Sequence, residues 1–506
     1  MKQAVHIFLK DARRAWPYIA IVLAITAALA YLTPKYTPGF GLGADRVDRA
    51  VNILQFLLPV AWWFTIAHVV HGEALVGDRQ FWVTRPYSWR SLLLAKILFC
   101  VAFLSVPLLA QDFIVLSAAG FPPAQMIPEL LWRHCSLAAI LMLPAFVLAA
   151  LTRNGRQFVL ACLSLVIALL VPGFVESSHP SKPSLGNLMD LRRSAALSWI
   201  EDWGPGVLLI AGALALLLWQ YARRRTAYSR AVVLAAYALN LASTIWSARP
   251  IPPAVWESVV ADTRYPEVAV TFYPGRARLN RRYASGAPNK VQIDIPIELT
   301  GRKRDLLRYD VAALSIEPEH GDAWSSRQIS DIGAADREDA DWIELHLDGK
   351  DFERLNREPV KLRALFGVTV YEEQARLQLR QGAGWSNIPG FGSAEIPRVP
   401  GMALLWWRSP LHSPSGRFFC SIRDPASDAL YQAEWAAMYP GASDNLHIGP
   451  VVSNVAPFWP KKRNLVPRIP DDAACEFTLQ RPLALVRREL KITGIRLEDY
   501  VIGADK

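Results

Sequence analysis

The sequence predicts an α-helical polytopic membrane bundle of about seven spans, followed by an all-β or mostly β, sandwich-like domain outside the cytoplasm. Three observations carry this. Charge divides unevenly: residues 1–250 hold 22 Lys and Arg against 11 Asp and Glu, a net of +11, whereas residues 251–506 hold 33 against 34, a net of −1. The first half contains seven apolar runs, at 17–32, 52–70, 92–118, 131–151, 158–175, 205–221 and 231–246. A hydrocarbon core of ~30 Å takes roughly 20 helical residues, and these runs are of that order. The second half changes to a period of two, the pattern of half-buried strands.

In chain order, residues 1–16 read as an amphipathic interface helix. Val5, Phe8, Ala12 and Trp16 recur at helical spacing, with Lys2, Lys10, Arg13 and Arg14 on the polar side. Such a helix lies along the membrane surface before the chain turns inward. Residues 17–250 then form the transmembrane domain. With the N-terminus cytoplasmic, the inner segments carry Arg79, Arg85 and Arg90, then Arg153 and Arg156, then Arg223, Arg224, Arg225 and Arg230. The outer segments are sparser in positive charge, as the bias of cytoplasmic loops toward Lys and Arg requires. An odd number of spans places everything after Trp246 outside. The basic excess therefore sets topology, and nucleic acid is not an expected partner because no soluble domain carries a basic face.

The segment 71–96, HGEALVGDRQFWVTRPYSWRSLLLAK, interrupts the apolar runs most sharply. It holds Glu73, Asp78, Arg79, Arg85, Arg90 and Lys96, with Trp82 and Trp89 interleaved and Pro86 in the middle. Hydrocarbon does not accommodate so many charges, so the segment is expected in water at the cytoplasmic face.

In the second half, residues 255–506, Val291, Ile293, Ile295 and Ile297 alternate, as do Ile343, Leu345 and Leu347. Leu362, Ala364, Phe366, Val368 and Val370 continue the pattern, and Gly and Pro clusters separate the runs. The expected fold is a sandwich, in two lobes dividing near residue 400. Cys420 shares a strand face with Phe418 and Ile422, and Cys475 shares one with Phe477 and Leu479. Two inward cysteines can meet across the core in an oxidising compartment, although sequence leaves their pairing open. Cys100, Cys135 and Cys162 lie in apolar runs and read as small buried hydrophobes.

Chemistry is sparse. No phosphate-cradling G-x-x-x-x-G-K-[ST] loop, nucleophile elbow or paired-cysteine metal motif occurs. No cofactor, metal or catalytic set is therefore expected on this chain. His68, His71 and Glu73 do not have a zinc spacing, and read as polar groups emerging at a span end. His134 stands alone near the start of a span. Gln111 and Asp112 fall within the third run, where polar groups usually face the bundle interior. Asp112 either lines a polar path near the outer leaflet or marks the end of that span. Asn240 is expected to bond a neighbouring helix. Trp385, Trp406 and Trp407 read as strand-packed core, with stacking on a sugar or drug as the alternative.

An interface helix, two spans and then E-x4-D-R-x2-W-x2-R-P-x3-R-x5-K entering the third span resembles the membrane subunit of type-2 ATP-binding-cassette (ABC) exporters. In that family the inner loop after the second span docks on the ATPase. An acidic residue follows that span, a proline sits mid-loop and a lysine opens the third; Glu73, Pro86 and Lys96 hold those positions here. The resemblance covers residues 1–225, and a seventh span with a large outer domain departs from the family's six. It implies a permease in a bacterial inner membrane, paired as a homodimer or heterodimer in membrane lipid. ATP and Mg would sit on a separate ABC ATPase subunit, whose motion would reach the bundle through Glu73, Asp78, Arg79, Trp82, Arg85, Pro86, Arg90 and Lys96. A different class also fits the pattern: a membrane-anchored sensor or assembly protein whose outer domain binds an envelope ligand or partner.

Overall fold

A computed structural model of the chain describes residues 2–35, 46–73, 88–178, 198–223, 226–247, 264–274, 290–303, 306–325, 332–337, 340–398, 404–411, 416–423, 430–437, 449–460 and 474–501. Helix α1 (Lys2–Arg14) leads into α2 (Trp16–Leu32), which Pro17 opens at a position where a missing N–H costs nothing. Next come α3 (Arg46–His71), α4 (Trp89–Ala118) and α5 (Pro123–Leu151). The Ser88 side chain caps α4, accepting the Ser91 N–H at 3.1 Å. A π-helical turn interrupts α4 at Val101–Ser105 and α5 at Ala138–Met142. Both turns directly precede an X-Pro pair, Val106-Pro107 and Leu143-Pro144. A proline lacks the N–H that bonds four residues back and its ring crowds that carbonyl, so one extra residue in the preceding turn lets the helix continue.

Four helices are long and apolar enough to cross a membrane among the described residues, Trp16–Lys35, Arg46–His71, Trp89–Ala118 and Pro123–Leu151, against the seven expected runs. The remaining runs fall in α6 (Gly155–Ser178), α7 (Ser198–Arg223) and α8 (Thr226–Ser247). Within these the described apolar stretches, Gly155–Ile167 and Leu209–Arg223, are shorter. The bundle core joins Leu29 of α2, Leu58 and Trp62 of α3, Phe99 and Leu104 of α4, Ala145 of α5 and Tyr221 of α7.

The α1 face differs from expectation. Ala4, Ile7 and Asp11 are buried, whereas Val5 and Trp16 are 44% and 66% exposed. The expected stripe is split: Phe8 packs on the bundle, stacked on Phe103 at 5.7 Å, whereas Val5 and Trp16 stay exposed.

Fifteen strands make up the described part of the second half. One sheet runs β1 (Ala269–Phe272), β2 (Lys290–Thr300), β6 (Ala340–Asp348), β5 (Ile332–Arg337). A second runs β13 (Val451–Pro457), β10 (Leu404–Pro410), β9 (Gly392–Glu395), β8 (Ser386–Ile388). The third and longest runs β14 (Trp459–Pro460), β12 (Leu430–Ala437), β11 (Gly416–Arg423), β15 (Ala474–Ile495), β7 (Val360–Arg380), β3 (Leu307–Pro318), β4 (Trp324–Ser325). All pairings between named strands are antiparallel.

The two lobes do not divide near residue 400. They share β7 and β15, which run through both. One core joins Ile293, Ile295, Ile343 and Leu345 to Leu362, Phe366, Val368 and Val486. The other joins Phe391 and Trp407 to Leu379, Phe418, Cys420 and Phe477. The change-over lies where the β7–β15 register shifts, between Leu479 and Gln480 and again between Pro482 and Ala484. Proline is tolerated within a sheet at such irregularities. Chain-distant segments thus complete the first lobe, because β15 returns to it.

Cys420 and Cys475 are disulfide-bonded, with Cα atoms 6.0 Å apart. They lie on adjacent strands of the same sheet, Cys420 facing Phe477 in register, rather than meeting across the core. The side-chain period of two puts residues 475 and 477 on one face, which brings the sulfurs together diagonally.

Candidate functional site

Helix α1 delivers Asp11 to the bundle because the stripe Ala4, Ile7, Asp11 faces inward. Lys96, on the second turn of α4, is 1% exposed and donates from Nζ to Asp11 Oδ2 at 2.6 Å and to the Val69 carbonyl of α3 at 2.9 Å. Its third neighbour is Glu73 Oε2 at 3.4 Å. Glu73 Oε1 accepts from Lys10 Nζ at 2.9 Å. Two lysines and two carboxylates therefore balance where α1, α3 and α4 meet. Burial pushes the Asp11 carboxyl up, against the pull of Lys96. Burial acts the same way on Glu73, but Lys96 and Lys10 together outweigh it and hold that carboxyl below its ordinary value.

This overturns the expectation that Lys96 stands in water with the rest of the loop. An ammonium held on three oxygens is stable out of water, whereas an unpaired one is not. Arg90 sits at the start of α4 with its guanidinium 5.5 Å from the Trp89 ring. Asp78, Arg79, Trp82, Arg85 and Pro86 lie outside the described residues. His71, read as a polar group at a span end, pairs there through Nε2 with Thr152 Oγ1 at 3.0 Å. Arg230 caps the last turn of α5 nearby, donating Nε and Nη2 to the Leu151 carbonyl at 3.1 and 2.7 Å.

A second buried charge group lies toward the other end of α4. Lys96 and Asp112 are separated along that helix by about 24 Å at 1.5 Å per residue. Asp112 is fully buried, and its Oδ2 accepts from Arg133 Nη1 and from His134 Nε2, the latter at 3.0 Å. Asp112 is thus paired inside the bundle rather than placed among headgroups, and His134 is its partner rather than an isolated residue. Gln111 is buried beside it. Asn240 falls in α8, and its side chain lies outside the described residues.

Above Asp112, the turn joining α4 to α5 carries part of the β half. Val115, Leu116, Ala119, Phe121 and Leu130 form one apolar cluster with Leu411 and Val451. Arg408 of β10 stands 5.8 Å from the Phe121 ring and 4.0 Å from the Trp385 ring, so Trp385 is occupied by a cation of the same chain. Trp407 is core.

Among the described residues one group has metal-ligand spacing, Glu319, His320 and Glu358, with ligand atoms within 4.8 Å of one another. Glu358 commits both oxygens to His320, accepting its N–H at 2.6 Å and facing its Nδ1 at 3.1 Å. That is a satisfied surface pair.

Sequence reasoning passed over Asp11 and Arg133, placed Lys10 on the polar side of α1 and took His134 as isolated. Asp11 had a signal: it is the lone acidic residue of α1 and stands on an i, i+3, i+4 stripe with Ala4, Ile7 and Ala15. No family model matches this chain, and no curated protein or solved structure matches it.

Proposed function

We propose that this chain is the permease subunit of an ABC transporter, working as an exporter. It threads a bacterial inner membrane seven times from a cytoplasmic N-terminus and holds residues 255–506 outside. A separate ATPase subunit hydrolyses ATP with Mg, and a second permease copy completes the transporter. One observation supports this above the others. Glu73 and Lys96 flank residues 74–95 and close onto one buried charge cluster that also grips α1. A push on the intervening segment would move α1, α3 and α4 together, which is what a lever worked by a docked ATPase needs. Arg79, Arg85 and Arg90 supply the docking charge, and Trp82, Trp89 and Pro86 shape the segment.

Arg79→Glu with Arg85→Glu should abolish co-purification of an ATPase subunit while the chain still inserts in the membrane. Unchanged co-purification would count against the reading. The seating of a β lobe on the α4–α5 turn favours a second one, a membrane-anchored sensor that passes ligand binding from the outer domain to the bundle. Wild-type protein that never carries an ATPase would select it.

A further inference from the structure

We propose that Asp112 and His134 form a proton-binding site inside the bundle, whose charge governs how the second β lobe sits on the α4–α5 turn. The site needs no ATPase and stands apart from the transport reading. Ionised Asp112 only accepts hydrogen bonds, so the proton of His134 must lie on Nε2, 3.0 Å from Oδ2. Nδ1 is then the basic atom. A proton from the aqueous phase on the side of the β lobe adds there; the Nε2–H···Oδ2 bond is kept, nothing leaves, and the imidazole becomes an imidazolium.

Oδ1 of Asp112 and Oε1 of Gln111 are buried and find no donor among the described residues. Both residues belong to the buried face Leu108, Gln111, Asp112, Val115, Leu116 of α4. Asp112 has no exposed surface, and a proton is the cation small enough to reach a residue so enclosed. Histidine is the side chain suited to changing charge near neutrality.

Coupling to the lobe follows from contiguity. Val115 and Leu116 lie one turn beyond Asp112, and Leu130 one turn before His134. All three pack with Phe121 against Leu411 and Val451. Leu411 is held at φ 66°, a conformation a leucine rarely adopts, so packing on the turn maintains it. Charging His134 sets two cations, imidazolium and Arg133, on one carboxylate oxygen, and α4 and α5 must re-adjust beneath the seat. The neighbouring elements bring Tyr31 and Lys35 from the end of α2, Arg46, Asp48 and Arg49 from the start of α3, Glu129 and Arg133 on α5, and Arg408 on β10. Among the described residues, Asp112 is the acid within ion-pair distance of His134.

The test uses the full chain in lipid nanodiscs. Imidazole NMR on ¹⁵N-histidine protein follows His134, identified as the signal missing from His134→Gln. Amide hydrogen exchange of residues 404–411 and 449–457 is read over the same pH series. The expected result is a one-proton titration of His134 whose midpoint moves in Asp112→Asn. Exchange at the seat should change with the same midpoint in wild type and stay flat in His134→Gln. A His134 signal that does not titrate while the protein stays folded, one indifferent to Asp112→Asn, or pH-independent exchange in wild type would each overturn the proposal. If Asp112→Asn does not fold, the wild-type titration and exchange decide alone.

Discussion

Lys96 donates to Asp11 and to the Val69 carbonyl, and its ammonium lies 3.4 Å from a Glu73 carboxylate oxygen. Replacing it removes the attraction but leaves two buried carboxylates, so Lys96→Met should destabilise the bundle by about 3–5 kcal/mol. Adding Asp11→Leu should recover part of the loss, because the desolvation of one charge goes with it. Denaturant unfolding in micelles of the single and double variants checks both. Glu73 gives a pH dependence of definite sign. Its folded carboxyl titrates below its ordinary value, so its contribution is present above the ordinary carboxylate range and lost as pH falls through the depressed value. The difference in thermal midpoint between wild type and Glu73→Gln should therefore shrink on acidification; a gap that widens would reverse the assignment. Glu73 and Lys96 drew attention in the sequence as members of a charged segment. That they are buried could not be read there, because burial depends on Asp11, which lies 85 positions from Lys96.

At the scale of elements, most was legible. The apolar runs lie in helices and the alternating runs are strands, since each pattern reports which residues leave water together. The details that escaped are non-local. The face of α1 is set by what packs on it. The two π turns follow from Pro107 and Pro144 acting on helices that tertiary packing keeps continuous. Cys420 and Cys475 were visible as inward-facing residues, but their adjacency depends on the β11–β15 register. The cross-link joins positions 55 residues apart, so by chain entropy Cys420→Ser with Cys475→Ser should cost about 4 kcal/mol. Comparing the unfolding of the second half of the intact chain with and without reductant measures it, and equal stability would show that the β7–β15 spine suffices.

At the scale of the molecule, the two charge clusters sit toward opposite ends of α4, one gripping α1 and the other lying beneath the turn that seats the β lobe. Sidedness then follows from one measurement. In a background with Cys100, Cys135 and Cys162 replaced by serine, Arg79→Cys should react with an impermeant thiol reagent only after permeabilisation, and Lys491→Cys in intact cells. The reverse pattern would overturn both the threading and the lever built on it.

Hydropathy, charge balance and residue period determined by themselves that the chain joins a half of long apolar helices, fit to cross a membrane, to a β half, because these are sums over neighbouring residues. Tertiary structure decided which charges are buried, that β15 returns to finish the first lobe, and that the β half rests on the turn around Phe121. Each of those depends on atoms far apart in the chain, whose meeting no local pattern encodes.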